Sequence, residues 1–395
     1  MANRTVPKNI INLYLIKFSK WFNLVMPVVV LFYQDNGLGM QDIFWLKSIY
    51  SAAIVVMEIP SGYMADVWGR KKTLIAGSLL GAAGFSLYSF SYGFWAFAVA
   101  EIILGVGHSF VSGADSAMLY DTLKEAKRDK EYMKQEGWIT SAGNFSEAIA
   151  GVCGGLLATL SLRMPFYLQF GVASLAIPAT LLLKEPAVHA PGLLRTFQGT
   201  LQTVRKTFLH RELRSALLVS SATGTASLTF AWFVQPYFLE AGLPLPLFGL
   251  MWTLLNLSVG ISSMFSYKAE LALGQRKSIL LIIGSLSLGY FLSALEISLA
   301  GIAILFMFYL FRGMAHPILK DYINRYTQSE VRATILSVRD FLIRINFAII
   351  GPLLGYLTDH FSLKTALLFA GLTYLIIAMI SALPLLKKPL DHGSE

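Results

Sequence analysis

The chain has 395 residues, of which 55% are hydrophobic and only 14% are charged, whereas soluble domains contain about 25% charged residues. This composition excludes an ordinary soluble domain and favours a helical membrane protein. The net charge of +9 could suit a nucleic-acid-binding protein, but the positions of the basic residues argue against that class. The single cysteine, Cys153, excludes an intrachain disulfide and any metal site built from several cysteines.

Twelve long apolar segments follow one another along the chain, each close to the roughly 20 residues that a helix needs to cross a bilayer. In chain order they comprise residues 9–33, 43–65, 74–92, 95–121, 137–160, 165–184, 213–239, 246–267, 277–296, 299–322, 333–357 and 363–386. A polar, basic stretch separates the sixth segment from the seventh. We therefore predict an all-α membrane protein with a six-helix half over 1–184, a linker over 185–211 and a second six-helix half over 212–395.

The basic residues are concentrated in alternate connections between the predicted segments, beginning with the N-terminal tail and including the linker and the C-terminal tail. The opposite connections hold only Lys47, Arg163 and Lys364. Since Lys and Arg are retained on the cytoplasmic side, both termini and the linker are predicted to be cytoplasmic, with the chain in the plasma (inner) membrane. This asymmetry also explains the positive charge without a nucleic-acid partner.

A short charged stretch, GYMADVWGRKK, runs from Gly62 to Lys72 between the second and third segments. It resembles the loop motif of the major facilitator superfamily, G-x-x-x-D-x-x-G-R-K/R-K/R. A weaker copy, YKAELALGQRK, runs from Tyr267 to Lys277 between the eighth and ninth segments. The resemblance implies two pseudo-symmetric six-helix halves that bind a small-molecule substrate and work by alternating access.

The residue types in this motif suit a tight cytoplasmic loop. Gly62 would let a neighbouring helix approach, Gly69 would permit the turn, Asp66 could cap a helix N-terminus, and Arg70 could pair with a carboxylate. The resemblance implies a cytoplasmic latch in which Asp121 and Asp321, at the ends of the fourth and tenth segments, are the partners of Arg70 and Arg276. The latch candidates are Gly62, Asp66, Gly69, Arg70, Asp121, Glu270, Arg276 and Asp321.

Two stretches depart from the patterns of proton-coupled members of that superfamily. The fourth segment reads EIILGVG, with Glu101 at the position where many members carry an arginine. The fifth segment reads AGVCGG from Ala150 to Gly155, without the proline that drug–proton antiporters often have there, and GPLLG occurs instead from Gly351 to Gly355. Both departures weigh against a typical drug–proton antiporter.

Charged and polar residues at the predicted mid-depth of the segments are the candidate functional residues, because a charge at the bilayer centre costs about 2.5–3.5 kcal/mol on insertion scales. A carboxyl group in a low dielectric can take up a proton near neutral pH. The proton-coupling candidates are Glu101, Asp115 and Glu147, with Glu147 preferred because no basic residue lies three or four positions from it. The substrate-binding candidates are Lys17, Trp21, His108, Asn144, Arg312, His316, Asp340 and Arg344.

Helical spacing groups several of these candidates. Glu101, His108 and Asp115 follow one another at intervals of seven, so they would share one face of a continuous helix. Asp340 and Arg344 are four residues apart and could form an intrahelical pair.

No nucleotide-binding loop, His/Cys metal cluster or nucleophile elbow is found in the sequence. We therefore predict a secondary transporter rather than an enzyme, with no cofactor and with H⁺ as the coupling ion. The predicted function is proton-coupled export of a small organic compound or drug by an antiporter, acting as a monomer in the lipid bilayer. One alternative is proton-coupled uptake of an organic anion bound by Arg312, Arg344 and Lys17. Another, from a different class, is a non-transporting membrane receptor or a lipid translocase.

Overall fold

The computed structural model describes residues 2–186, 208–327 and 331–387, and every long element in these ranges is an α-helix. The first nine helices are α1 (Ala2–Trp21), α2 (Val29–Asp35), α3 (Met40–Val67), α4 (Arg70–Phe90), α5 (Phe94–Val111), α6 (Ala114–Glu125), α7 (Tyr132–Ala158), α8 (Met164–Ser174) and α9 (Ala176–Leu182). Five more follow: α10 (Arg211–Glu240), α11 (Phe248–Leu295), α12 (Ile302–Arg325), α13 (Arg332–His360) and α14 (Leu363–Lys387). Most of the predicted linker, residues 187–207, lies outside the described residues.

Nine helical segments in the described part of the chain are long and apolar enough to cross a bilayer. One of them, Leu245–Leu295, has 51 residues and contains Gly274 at φ 70° and ψ 168°, so it comprises two helices. The predicted first and fifth segments correspond to α1 with α2 and to α7, which are not among the nine. The helices are therefore consistent with the twelve predicted segments, and the predicted all-α membrane fold is confirmed.

The described chain divides into two compact units, each with its own helix packing. The first unit comprises Met1–Leu38, Trp45–Leu194 and Leu245–Thr253; the second comprises Gly39–Phe44, Arg195–Pro244 and Leu254–Glu395. In the first unit α4 packs mainly against α5 and α8, and in the second α10 packs mainly against α14 and α13.

Small residues allow the close helix packing in the first unit. A Cβ at Gly77 of α4 would lie 2.7 Å from Val111 of α5, and one at Gly105 of α5 would lie 2.8 Å from the carbonyl oxygen of Tyr50 in α3. Because lipid is as apolar as the side chains, such close packing rather than hydrophobic burial drives helix association in a membrane.

Both ends of α4 are capped by side chains that flank the pair α8–α9. At the N-terminus, the Glu185 carboxylate accepts hydrogen bonds from the backbone N–H groups of Arg70 and Lys71, both at 2.7 Å. At the C-terminus, the Arg163 guanidinium donates to the carbonyl oxygens of Tyr88, Ser89 and Ser91 at 2.9–3.3 Å. An anion at the first turn and a cation at the last turn also complement the helix dipole.

We expect Glu185→Ala to lower the stability of the protein by about 1 kcal/mol, the usual effect of losing an N-terminal cap. Two backbone N–H groups of α4 would lose their acceptor, although water can replace it in part because Glu185 is exposed. Thermal unfolding of the purified protein in detergent measures the change. Glu125→Ala, which removes an exposed glutamate from the last turn of α6, is the matched control. Equal melting temperatures for both variants and the parent would contradict the capping role.

Candidate functional site

A buried polar network surrounds Glu101 in the first unit. Glu101 of α5 is 2% exposed and forms an ion pair with Lys47 of α3. The Tyr33 hydroxyl donates to the Glu101 Oε1 at 2.9 Å and accepts from the Lys47 Nζ at 2.9 Å. The hydroxyl oxygens of Tyr33 and Tyr88 are 2.7 Å apart. The charge of Glu101 is therefore compensated by the Lys47 ammonium group, and the same carboxylate is hydrogen-bonded by the Tyr33 hydroxyl.

Aromatic packing holds this network in place. Tyr33 lies on the short helix α2 and is fully buried, with Phe97 at 5.6 Å between ring centroids. Tyr88 stacks on Phe97 at 5.2 Å. Lys47 lies 5.0 Å from the centroid of the Tyr33 ring, so its ammonium group also contacts the π face. The hydroxyl groups are thus fixed by rings that cannot rotate freely.

Lys47 was missed by the sequence reasoning, which assigned it to a connection outside the membrane. The structure places it inside α3, in contact with Glu101. The sequence did indicate a buried role for Lys47, because the residue falls within the predicted segment 43–65 and a charge inside a membrane-spanning helix requires a partner.

His108 lies on the same side of α5 as Glu101. Its Nδ1 is 3.3 Å from the hydroxyl oxygen of Tyr50, which follows Lys47 by three residues on α3. Glu101 and His108 therefore both face α3, in agreement with their spacing of seven. The predicted continuation of this stripe to Asp115 is wrong. The helix ends at Val111, the chain turns at Gly113 with φ 84°, and Asp115 begins α6.

Asp115 contacts α1 instead. Its Oδ2 lies 3.4 Å from the Nζ of Lys17, and both side chains are 12% exposed. The same ammonium group lies 5.9 Å from the centroid of the Trp21 ring. Three of the predicted site residues are thus brought together by α1 and α6. This ion pair is longer than an ideal one and is reached by solvent on both partners.

Helix α7 passes beside this group. A Cβ at Gly143 would lie 3.2 Å from the Trp21 ring, so the glycine makes room for the indole. On the same helix Asn144 is exposed and Glu147 is half-buried. Glu136, nearer the start of α7, accepts a hydrogen bond from the Ser116 hydroxyl at 2.9 Å.

In the second unit the most buried charge is Arg339 of α13, which is 7% exposed. Its Nε donates to the Ser220 hydroxyl of α10 at 2.6 Å, and its NH1 donates to Asp340 Oδ1 at 2.8 Å. The possible pair of Asp340 with Arg344 is not formed, because the Asp340 carboxylate turns to the adjacent, more deeply buried guanidinium of Arg339. Sequence reasoning did not include Arg339 among the site residues.

The other predicted residues of the second unit are more accessible. The Arg312 guanidinium of α12 lies 4.9 Å from the centroid of the Tyr309 ring, a cation–π geometry, and Arg312 is half-buried. Arg344 of α13 is also half-buried, and His316 is exposed.

The predicted contacts of Arg70 are present in the first unit. Arg70 contacts Asp66 at 2.8 Å and Asp121 at 3.4 Å. Gly69 has φ 97°, as its predicted turn requires. Two predicted roles are wrong: Glu185 rather than Asp66 caps α4, and a Cβ at Gly62 would have no described atom within 4 Å.

The corresponding ion pairs of the second unit differ from the prediction. Asp321 pairs with Arg325, four residues later on α12, at 2.6 Å, and Glu270 lies 3.6 Å from the same guanidinium. Arg276 instead donates to the carbonyl oxygen of Lys387 at 3.1 Å. Arg325 therefore takes the place predicted for Arg276, because an aspartate and an arginine four residues apart meet on one helix face.

A family model described as Major Facilitator Superfamily matches residues 14–345. The chain belongs to the major facilitator superfamily. Quinolone resistance protein NorA of Staphylococcus aureus (strain MRSA252) is 23% identical over 176 residues, which are 44% of this chain and 44% of NorA. The match therefore spans less than half of the length of NorA.

Solved structures resemble this superfamily member over nearly their whole length. The nucleoside transporter NupG has a TM-score of 0.82 at 15% identity, over 98% of this chain and 100% of NupG. A D-xylose–proton symporter has a TM-score of 0.71 at 13% identity, over 95% of this chain and 96% of the symporter. At these identities the likeness concerns the fold alone, and it confirms the predicted superfamily fold.

In this superfamily member we expect Glu101→Gln to lower stability by about 3 kcal/mol, because removing one partner of a buried ion pair leaves the other charge uncompensated. The double variant Glu101→Gln/Lys47→Met should recover most of that loss. Thermal unfolding in detergent measures both. A double variant as unstable as the single one would show that the Lys47 charge is not the cause.

Proposed function

We propose that this chain is a proton-coupled secondary transporter that exports a small organic solute from the cell by alternating access. Membership of the major facilitator superfamily and the solved transporters of the same fold support solute transport. The match to a quinolone resistance protein supports export of a drug-like compound. The charged groups inside the helices support coupling to H⁺.

The observation that carries the proton coupling is the contrast between the two ion pairs of the first unit. Glu101 is nearly inaccessible and is enclosed by Lys47 and Tyr33. Asp115 is partly accessible and lies at a longer distance from Lys17. A carboxylate that water reaches and that is loosely paired is better suited to exchange a proton with the solution than one that is closed off from water by its partners. We therefore assign the coupling role to Asp115 and a structural role to Glu101.

The residues around Asp115 indicate how a solute could compete with a proton. Lys17 neutralises the carboxylate while it is charged, and protonation of Asp115 would free the Lys17 ammonium group. The Trp21 ring beside it offers an aromatic face for the apolar part of a drug-like solute. A solute with a cationic or hydrogen-bond-donating group would displace the proton from Asp115, and the proton would displace the solute.

Half-buried Glu147 of α7 is the alternative proton-coupling carboxylate, and a comparison of variants at Asp115 and Glu147 decides between them. We expect Asp115→Asn to abolish pH-driven net transport and to leave solute exchange, which needs no proton release, largely intact. Both activities are measured in proteoliposomes with an imposed pH gradient. The probes are a fluorescent quinolone, a nucleoside and D-xylose, the solutes after which the similar proteins are named.

Glu147→Gln is the parallel variant in that comparison, and Glu125→Gln, at an exposed position of α6, is the control. Normal pH-driven transport in Asp115→Asn together with its loss in Glu147→Gln would move the coupling site to α7. Binding of a probe without flux in the parent protein would favour the receptor function instead.

A second function, proton-coupled uptake of an organic anion, is favoured by the arginines of the second unit. Arg312 and Arg344 are half-buried in apolar helices, while the neighbouring carboxylate of Asp340 is engaged by Arg339. An anionic solute would supply the compensating charge. The Tyr309 ring already orients the Arg312 guanidinium from one face, which leaves its edge for a carboxylate.

We expect Arg312→Lys to weaken binding of benzoate about tenfold, because a point charge does not replace the planar fork of a guanidinium. Arg312→Ala should weaken it further. Calorimetric titration of the purified protein measures the affinity, with uncharged benzamide as the control ligand. Unchanged benzoate affinity in both variants, or equal binding of benzamide, would remove Arg312 from an anion site.

A further inference from the structure

A stripe of basic side chains runs along α12 in the second unit. Arg312, His316 and Lys320 follow one another at intervals of four. Each is therefore turned by roughly 40° from the one before, and the three lie on one face of the helix. Arg312 is half-buried, while His316 and Lys320 are exposed. A dissolved ligand can therefore reach all three residues, which we call the basic stripe.

Helix α13 of the same unit adds further charges beside the stripe. His316 lies within electrostatic range of Arg339 and Asp340 of α13, as well as of Arg312 and Lys320 on its own helix. Among the described residues, three cations and one carboxylate thus act on His316. They leave an excess of two positive charges even while the histidine is neutral.

Arg339 is a rigid part of this cluster. It is 7% exposed, its Nε donates to the hydroxyl of fully buried Ser220 at 2.6 Å, and one N–H donates to Asp340 at 2.8 Å. These hydrogen bonds to described residues use two of the five N–H donors of a guanidinium, so donors remain for a ligand. A guanidinium held from two helices is already ordered, and binding an anion then costs little further conformational entropy.

Arg312 is also fixed by its surroundings. Its guanidinium lies 4.9 Å from the centroid of the Tyr309 ring, and that ring is fully buried. A Cβ at the next residue, Gly313, would lie 2.5 Å from the carbonyl oxygen of Val259, so α12 packs directly against α11 at this level. The basic stripe therefore begins at a guanidinium whose position is set by the packing of its own unit.

The excess of two positive charges distinguishes between classes of anion. A monocarboxylate would leave one positive charge uncompensated among apolar helices, where such a charge is costly. A phosphate monoester carries nearly two negative charges at neutral pH and has three acceptor oxygens. Guanidinium forks match phosphate oxygens in pairs, whereas a lysine supplies a point charge. The side chains of the cluster therefore fit a phosphate monoester better than a monocarboxylate.

We propose that the basic stripe and Arg339 together bind the doubly charged head group of a phosphate monoester. Arg312 and Arg339 would bind the phosphate oxygens, Lys320 would supply the third positive charge, and neutral His316 would donate a hydrogen bond. The proposal rests on the alternative function of organic-anion uptake and deepens it by naming the class of anion. It does not depend on the coupling ion.

Phenyl phosphate and methyl phenyl phosphate test the proposal, because they share a ring and a phosphorus centre but carry two charges and one charge at pH 7.5. We expect phenyl phosphate to bind about tenfold more tightly, the effect of one additional charge-assisted hydrogen bond. Calorimetric titration of the purified protein, in a maltoside detergent and a phosphate-free buffer, measures both affinities. Benzoate is titrated in parallel as a monocarboxylate.

Two variants locate the site. Arg312→Gln should lower the affinity for phenyl phosphate about tenfold. Lys320→Gln should lower it about threefold to fivefold, because an exposed charge is screened by solvent. Lys364→Gln, which removes an exposed lysine from the first turn of α14, is the matched control and should leave the affinity unchanged. Arg339 is kept in all three variants, because its removal would also break the contact between α10 and α13.

Several results would overturn the proposal. Equal affinities of the parent for both phosphate esters would overturn it, while benzoate binding in the same experiment would leave the organic-anion function standing. Binding of none of the three anions would remove that function as well. An unchanged affinity for phenyl phosphate in folded Arg312→Gln and Lys320→Gln would place the anion elsewhere, and an equal loss in Lys364→Gln would indicate unspecific attraction. Should Arg312→Gln fail to fold, the exposed Lys320→Gln variant decides alone. A preference for phenyl phosphate that is reduced only in the stripe variants supports the proposal.

Discussion

The physical constraint behind much of this structure is that a charge within an apolar helix bundle needs a partner from another helix. Lys47 and Glu101 satisfy it between α3 and α5, and the Tyr33 hydroxyl completes the shell. Arg339 satisfies it between α13 and α10 with a neutral acceptor, Ser220. Each such contact orients two helices as well as two side chains, because neither group can move away without leaving a buried charge behind. The charges are therefore part of the packing and also part of the candidate chemistry.

Helix ends pose the same problem for the backbone, since their unused N–H and C=O groups also require partners in surroundings with little water. The chain uses ionised side chains for this purpose. Glu185 and Arg163 cap the two ends of α4 from either side of α8–α9, and Asp359 caps α3 from the end of α13. A capping side chain joins two helices through a few directional hydrogen bonds and so fixes their relative position. Where the side chain is exposed, water can replace those hydrogen bonds.

Much of this architecture could be predicted from the sequence, because long apolar segments and a charged loop motif are strong signals. The all-α fold followed from the length of the apolar segments, the shared face of Glu101 and His108 from their spacing, and the contact of Arg70 with Asp121 from the resemblance of the loop motif. The position of Asp115 did not, because a glycine within an apolar run does not reveal whether it has a positive φ. The role of Arg325 was missed because several basic residues compete for each carboxylate, and spacing does not show which one reaches it.

The two units handle charge differently, and this has a consequence for coupling. In the first unit the candidate carboxylates Glu101 and Asp115 are paired with lysines. In the second unit Arg312 and Arg339, which stay protonated, contact a tyrosine ring, a serine hydroxyl and the exposed Asp340 carboxylate. Under the proposed function, proton exchange belongs to the first unit and charge selection to the second.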